Sequence, residues 1–275
     1  MTRPPLNVQR GSALAGLAVV AVCATLAAAQ QIWVGGSRFG RFAPRFATVE
    51  DFDGRFLYCR AFYRGGWTTD YPGADHNFSV RLAELTRVNV RFDENRQPHY
   101  VVVRLDEPQL VRCPLLFMEN VEQLRFTDQD VIGLRNYLLK GGFLWVDDFW
   151  GSRAWDNWAR EIARVLPPSE FPIFDLPITH PIMHQMYDVK DFLQVSAISF
   201  WYGSGGSVSE RGADSAEVHY RGIQDSRGRL MMLATHNTDV ADTWEREGES
   251  VEYFNLFSPR GYAIGVNVVI YALTH

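Results

Sequence analysis

Gly141-Gly142-Phe143-Leu144-Trp145-Val146-Asp147-Asp148-Phe149-Trp150-Gly151 is the stretch whose reading decides the fold. Phe143 to Val146 form an unbroken apolar run, as in a strand buried on both faces; a strand with one wet face would alternate. Two glycines precede the run and two aspartates close it. Upstream, Thr127-Asp128-Gln129-Asp130 opens a helix whose apolar face is Val131, Leu134 and Leu138. Lys140-Gly141-Gly142 supplies the cation and the glycines that a helix C-terminus favours. Downstream, a second helix is predicted over about Trp155 to Leu166, stopped by Pro167-Pro168. Helix, buried strand, helix is the repeating unit of an α/β fold with a mainly parallel sheet.

The alternation extends in both directions. A first strand is predicted from Phe56 to Tyr63, breaking at Arg64-Gly65-Gly66 into the polar loop Trp67-Thr68-Thr69-Asp70-Tyr71-Pro72. Asn77 reads as the cap of a helix with Phe78, Leu82 and Leu85 on its apolar face. Val88 to Phe92 and Tyr100 to Leu105 are strand-like, and Pro114 to Met118 is a buried strand ending at Glu119-Asn120. Later come Ile173 to Leu176 and a Gly/Ser-rich stretch, Gly203 to Ser215, of flexible lid or linker composition. Val218 to Ile223 and Arg229 to Ala234 read as a hairpin. Ser258-Pro259 is expected to start the last helix, because proline is tolerated at a first helical position. Residues 56–275 form one domain without internal repeat, preceded by an extended arm over 30–55.

The chain has 275 residues, 47% hydrophobic and 13% aromatic, with a formal net charge of −5. Such a chain buries a real core and is not disordered. It lacks the basic face of a nucleic-acid binder. Arg3 and Arg10 precede an uncharged Ala/Val/Leu stretch, Ala13 to Ala29, that ends in Ala27-Ala28-Ala29. The favoured reading is a signal peptide over 1–29 and a periplasmic or secreted product; the alternative is an uncleaved N-terminal anchor. Lipidation at Cys23 is disfavoured because Val22 precedes it. Cys59 and Cys113 fall in or beside buried strands, and buried free thiols are favoured over a bridge.

In open α/β sheets, ligands bind beyond the carboxyl ends of the strands. Lining up those ends collects Trp67, Asp70 and Tyr71, then Glu119-Asn120, then Asp147, Asp148 and Trp150. His180 follows the Pro177 segment, and His236, Asn237 and Asp239 follow a late strand. A ligand-binding edge of acids, histidines and aromatics is therefore expected. Each member also has a structural reading: Asp147 and Asp148 can cap a helix or accept loop amides. His180 and His184 have the i, i+4 spacing of a metal pair, but there is no HExxH and no third ligand at fixed spacing. Hydrogen-bonded histidines are favoured, and no metal or cofactor is expected. Trp145, Trp150, Trp155 and Trp158 suit a core better than sugar stacking. No GxSxG, Walker loop or GxGxxG after a strand is present.

Gly65-Gly66-Trp67-Thr68-Thr69-Asp70-Tyr71-Pro72 and the Gly141–Gly151 stretch resemble a bacterial family, the domain of unknown function numbered 4159. Thr179-His180-Pro181-Ile182, Asn237-Thr238-Asp239 and Tyr271-Ala272-Leu273-Thr274-His275 add to the likeness, which covers about Phe56 to His275. That family looks like a branch of the class I glutamine amidotransferase-like fold, close to the trehalose-utilisation (ThuA-like) group. The resemblance implies a flavodoxin-like three-layer sandwich. Relatives are often joined to, or encoded beside, Bat-type membrane modules with von Willebrand A domains and MoxR ATPases, which implies an envelope protein partner. Active amidotransferases carry their cysteine in the turn after the central strand, where this chain has Asp147-Asp148. Cys59 and Cys113 lie elsewhere, and His236, near the family's histidine, has no thiol to activate. Glutaminase activity is not expected. The expectation is a ligand-binding or scaffold domain of the cell envelope, taking a small molecule or sugar at the strand ends. The alternative is a hydrolase of carbohydrate or peptidoglycan-derived substrates, with Asp147 or Asp148 as base and His180 or His236 as acid.

Overall fold

A computed structural model describes residues 43–65, 67 and 70–275. The stretch expected to be a signal peptide or anchor, Cys23 and the first part of the expected arm lie outside the described residues. The elements run β1 (Tyr58–Phe62), α1 (Gly73–Leu85), β2 (Tyr100–Arg104), β3 (Leu116–Glu119), α2 (Asp128–Leu139) and β4 (Leu144–Asp147). They continue with α3 (Gly151–Val165), β5 (Phe174–Asp175), α4 (Ile198–Gly203), β6 (His219–Gln224), β7 (Leu230–His236), α5 (Asp242–Glu245) and α6 (Val251–Thr274). The strands make one seven-stranded sheet, ordered β2-β1-β3-β4-β7-β6-β5. The first five of these positions are parallel, and the β6–β7 hairpin reverses direction at the edge.

Side chains of successive strand residues point to opposite faces, so each strand feeds two cores. Leu116, Leu144, Val146, Met232 and Ala234 pack against α2 and α3 through Leu134, Leu138, Trp158 and Ile162. Phe117, Trp145 and Leu233 pack on the other face with Phe78 of α1, Trp201 of α4, Trp244 of α5 and Tyr253 to Tyr271 of α6. The result is a three-layer mixed α/β fold. α6 is long and apolar enough to cross a membrane by composition, but most of it is buried as a core helix.

Several boundaries differ from the sequence expectation. α1 begins at Gly73, so Asn77 is not its cap; its amide instead donates to the Trp244 and Glu245 carbonyls at 2.8 and 3.1 Å. α3 begins at Gly151, in the turn directly after β4. α6 begins at Val251, where Ser250 Oγ accepts from Tyr253 N, and it carries Pro259 internally. A good cap and an apolar face running on both sides of the proline outweigh its missing amide. Residues 43–55 are not a free arm: Val102 donates to Arg45 O and its carbonyl accepts from Ala47 N, adding a bridge beyond β2. Cys59 and Cys113 are joined in a disulfide, not held as free thiols, their Cα atoms 5.9 Å apart. The Gly203–Ser215 stretch is pinned: Ser196 Oγ donates to Ser207 O and Arg211 N to Ser215 Oγ.

Candidate functional site

Three neighbouring strands end alike. Glu119 closes β3, Asp147 closes β4 and His236 closes β7. Each is followed by a residue in the left-handed region: Asn120 (φ 54°), Asp148 (φ 49°) and Asn237 (φ 64°). Asn and Asp tolerate that conformation better than other side chains. The turns are stitched together, Asn120 N donating to Asp148 O and Asn237 N to Phe149 O, both at 3.0 Å. Asn237 Oδ1 accepts from Gly151 N at 2.8 Å, and Gly151 itself has φ 80°, with Asp214 Oδ2 only 2.4 Å from where a Cβ would sit. The β4–α3 turn is thereby fixed from β7.

Beyond these turns lies a cavity of about 180 Å³. Seven carboxyl groups line it, from Asp70, Glu122, Asp148, Glu210, Asp239, Asp242 and Glu245, with Arg211 and Arg246 as its basic groups. Asp70 arrives from the loop after β1, Asp148 from the β4 turn, Asp239 from the β7–α5 connection, and Asp242 and Glu245 from α5 itself. Glu210 and Arg211 come from the pinned serine-rich loop. Asp148 Oδ1 accepts from the Trp150 indole at 2.8 Å, and Asp239 Oδ1 accepts from Asp242 N at 2.9 Å. Asp242 Oδ2 accepts from Ile198 N at 2.5 Å. Burial pushes the carboxyls of Asp70, Asp148, Asp239 and Asp242 well above the usual range, and neighbouring carboxylates push them further.

Under the cavity is a second layer that holds its own counter-charge. Fully buried Arg60 pairs with Asp75 at 2.7 Å and with Glu119. Asp147 is fully buried and uses both oxygens: Thr235 Oγ1 donates to Oδ1 at 2.5 Å and Ala241 N to Oδ2 at 2.9 Å. Burial raises its pKa to about 8 despite those bonds.

The structure brings Asp70, Asp148, Trp150 and Asp239 of the predicted set to the cavity and leaves the other six outside. Trp67 is core, its indole donating to Ala61 O, and it packs on Phe62 and Tyr71. Tyr71 OH accepts from Arg45 N. Asp147 braces β7 and Asn237 braces the turns. His236 lies on the opposite sheet face from Asp147, because Val146 pairs with Ala234 and the pleat then puts Asp147 with Thr235. Its ring is held between Phe149 and Trp155, with Nε2 3.0 Å from Gly151 O and Nδ1 3.3 Å from Arg221. Burial lowers its pKa to about 4, so it is neutral. His180 sits at the other edge of the sheet, beside Gln224 and Tyr271, because the chain folds back after β5. His184 bonds Asp188 and Ile178 O from a short 3-10 turn, so the two histidines form no metal pair. Sequence reasoning missed four of the seven acids: Glu122, Glu210, Asp242 and Glu245. The i, i+3 acids of Asp242-Thr243-Trp244-Glu245, directly after Asp239, were the available signal.

Residues 55–273 match the sequence profile of a family described as "Domain of unknown function (DUF4159)", and the chain belongs to that family. No curated protein matches the chain.

Proposed function

We propose that this member of the DUF4159 family is an exported cell-envelope domain whose strand-end cavity binds a ligand through a positively charged group. The carrying observation is the excess of carboxyl groups over basic side chains around one small cavity. Several like charges, desolvated together, are costly unless a counter-charge arrives. Export is supported by the Arg3–Ala29 pattern and by the Cys59–Cys113 bridge, which suits an oxidising compartment. A flavodoxin-like, amidotransferase-like relationship is supported by the parallel strand order β2-β1-β3-β4-β7, which follows the flavodoxin pattern of a switch point between β1 and β3. Glutaminase chemistry is set aside: both described cysteines are bridged, and a carboxylate stands in the turn after β4. An envelope protein partner, Bat-type by family resemblance, remains part of this reading as the source of a ligand or as the assembly that displays the domain.

The test is a thermal-shift and calorimetric comparison of amine-bearing sugars and short diamines with their N-acetylated counterparts, in the presence of a chelator. The amines should stabilise the full-length chain and the neutral counterparts should not. Equal stabilisation by neutral sugars would contradict the charge argument. A second reading, a hydrolase with Asp148 as general acid, is favoured by its left-handed backbone at the strand-end turn and by burial pushing its carboxyl above the usual range. Release of reducing ends from peptidoglycan fragments, abolished in Asp148→Asn, would support it; no turnover by the wild-type chain would exclude it.

A further inference from the structure

We infer that Asp70, Asp242 and Glu245, all of which line the cavity, hold a calcium ion. This rests on the cationic-ligand reading above and names the cation. One carboxylate oxygen from each residue can be chosen so that all three lie within 4.8 Å of one another. Oxygen ligands on calcium sit at about 2.3–2.6 Å, so two of them can be up to about 5 Å apart, whereas magnesium draws its ligands to within about 4.2 Å. A separation of up to 4.8 Å falls inside the span open to two calcium ligands. The donor set is all hard oxygen, the preference of this class of ion and not of zinc or copper.

A second observation points to the same place. Asp70 lines the cavity, and its backbone N donates at 3.2 Å to Oε2 of the fully buried Glu119, which also takes the Arg60 guanidinium. Among the described residues, neither Glu119 Oε1 nor the buried Asp70 Oδ2 has a hydrogen-bond partner. Buried polar atoms in native proteins are nearly always paired, and an orphan calls for a bound water or ion. The nearby protein cations do not meet the need. Arg60 is spent on Asp75 and Glu119. Arg246 is shared among Glu245 at 2.9 Å, Glu249 at 3.3 Å and Asp242 at 3.6 Å. A calcium ion between the three carboxylates supplies a counter-charge to Asp70, whose buried Oδ2 has no hydrogen-bond partner among the described residues.

Calcium chloride and magnesium chloride are titrated separately into chelator-stripped full-length chain, read by calorimetry and by the unfolding temperature. Calcium should bind saturably at one site, with a dissociation constant at or below about 1 mM as in extracellular calcium modules, and should raise the unfolding temperature. Glu245→Gln, at a half-buried position, should weaken binding at least about tenfold, and so should Asp70→Asn. Glu84→Gln, an exposed acid on α1, should leave it unchanged. Absence of saturable calcium binding, tighter magnesium binding, or unchanged affinity in both site variants would overturn the assignment. The amine series separates the two readings: stabilisation by amines without a calcium effect overturns the ion and leaves the cationic-ligand reading standing. No response to either overturns both.

Discussion

Arg60 lies between Asp75 and Glu119 in a fully buried cluster, with its guanidinium also over the rings of Tyr58 and Phe117 at 5.7 and 5.3 Å. The adjoining cavity gathers seven acids against two arginines: Arg211 pairs with Glu122, and Arg246 with Glu245, Asp242 and, outside the cavity, Glu249, which leaves Asp70, Asp148 and Asp239 without an ion pair among the described residues. The two regions adjoin, Asp70 N of the cavity donating to Glu119 of the cluster. In the first, the fold supplies the counter-charge; in the second, it leaves the counter-charge to something else. That difference separates carboxylates that build the protein from carboxylates held ready for a ligand.

The comparison can be broken most forcefully at Arg60. Arg60→Met removes the one cation and leaves two buried acids, which should cost about 3–5 kcal/mol in denaturant unfolding. A loss below about 1 kcal/mol would mean the inner cluster is no more satisfied than the cavity. Next in size is Asp147→Ala, which leaves the buried Ala241 N without its acceptor, while Thr235 Oγ1 keeps the Val146 carbonyl, and should cost about 1–3 kcal/mol by the same measurement. Smaller still is a pH effect at His236. Its folded pKa, about 4, lies below its ordinary 6.5. The unfolded chain therefore takes up the proton first, and the stability His236 confers is present above 6.5 and lost as pH falls towards 4. The stability difference between wild type and His236→Gln should shrink on going from pH 7 to pH 5. A difference constant across that range would place His236 among groups that titrate freely.

The fold was legible where local signals agreed. Phe143 to Val146 with flanking glycines gave β4, and Thr127 with Asp130 gave the reciprocal cap of α2. It was less legible where two rules competed. Pro259 offered a helix start, but Ser250 had the better cap and the apolar face began with Tyr253. At the site, the strand-end rule located the cavity and gave Asp70, Asp148 and Asp239. It did not give register. Without the pairing of Val146 with Ala234, nothing said that His236 and Asp147 face opposite ways. Nor did it foresee that the chain after β5 folds back, carrying His180 to the far edge. Asp242 and Glu245 were missed because they lie one short turn beyond the strand end, on a four-residue helix.

The central claim is that the cavity acids are held at a cost and are not structural. The direct test is the unfolding free energy of Asp148→Asn/Asp239→Asn against wild type, in chelator at neutral pH. Asparagine keeps an oxygen for the Trp150 indole and for Asp242 N. Removing the charges should therefore leave stability unchanged or raise it by about 0.5–2 kcal/mol, as when a functional site is relieved of its strain. A loss of about 1 kcal/mol or more would contradict the account and make these carboxylates part of the frame.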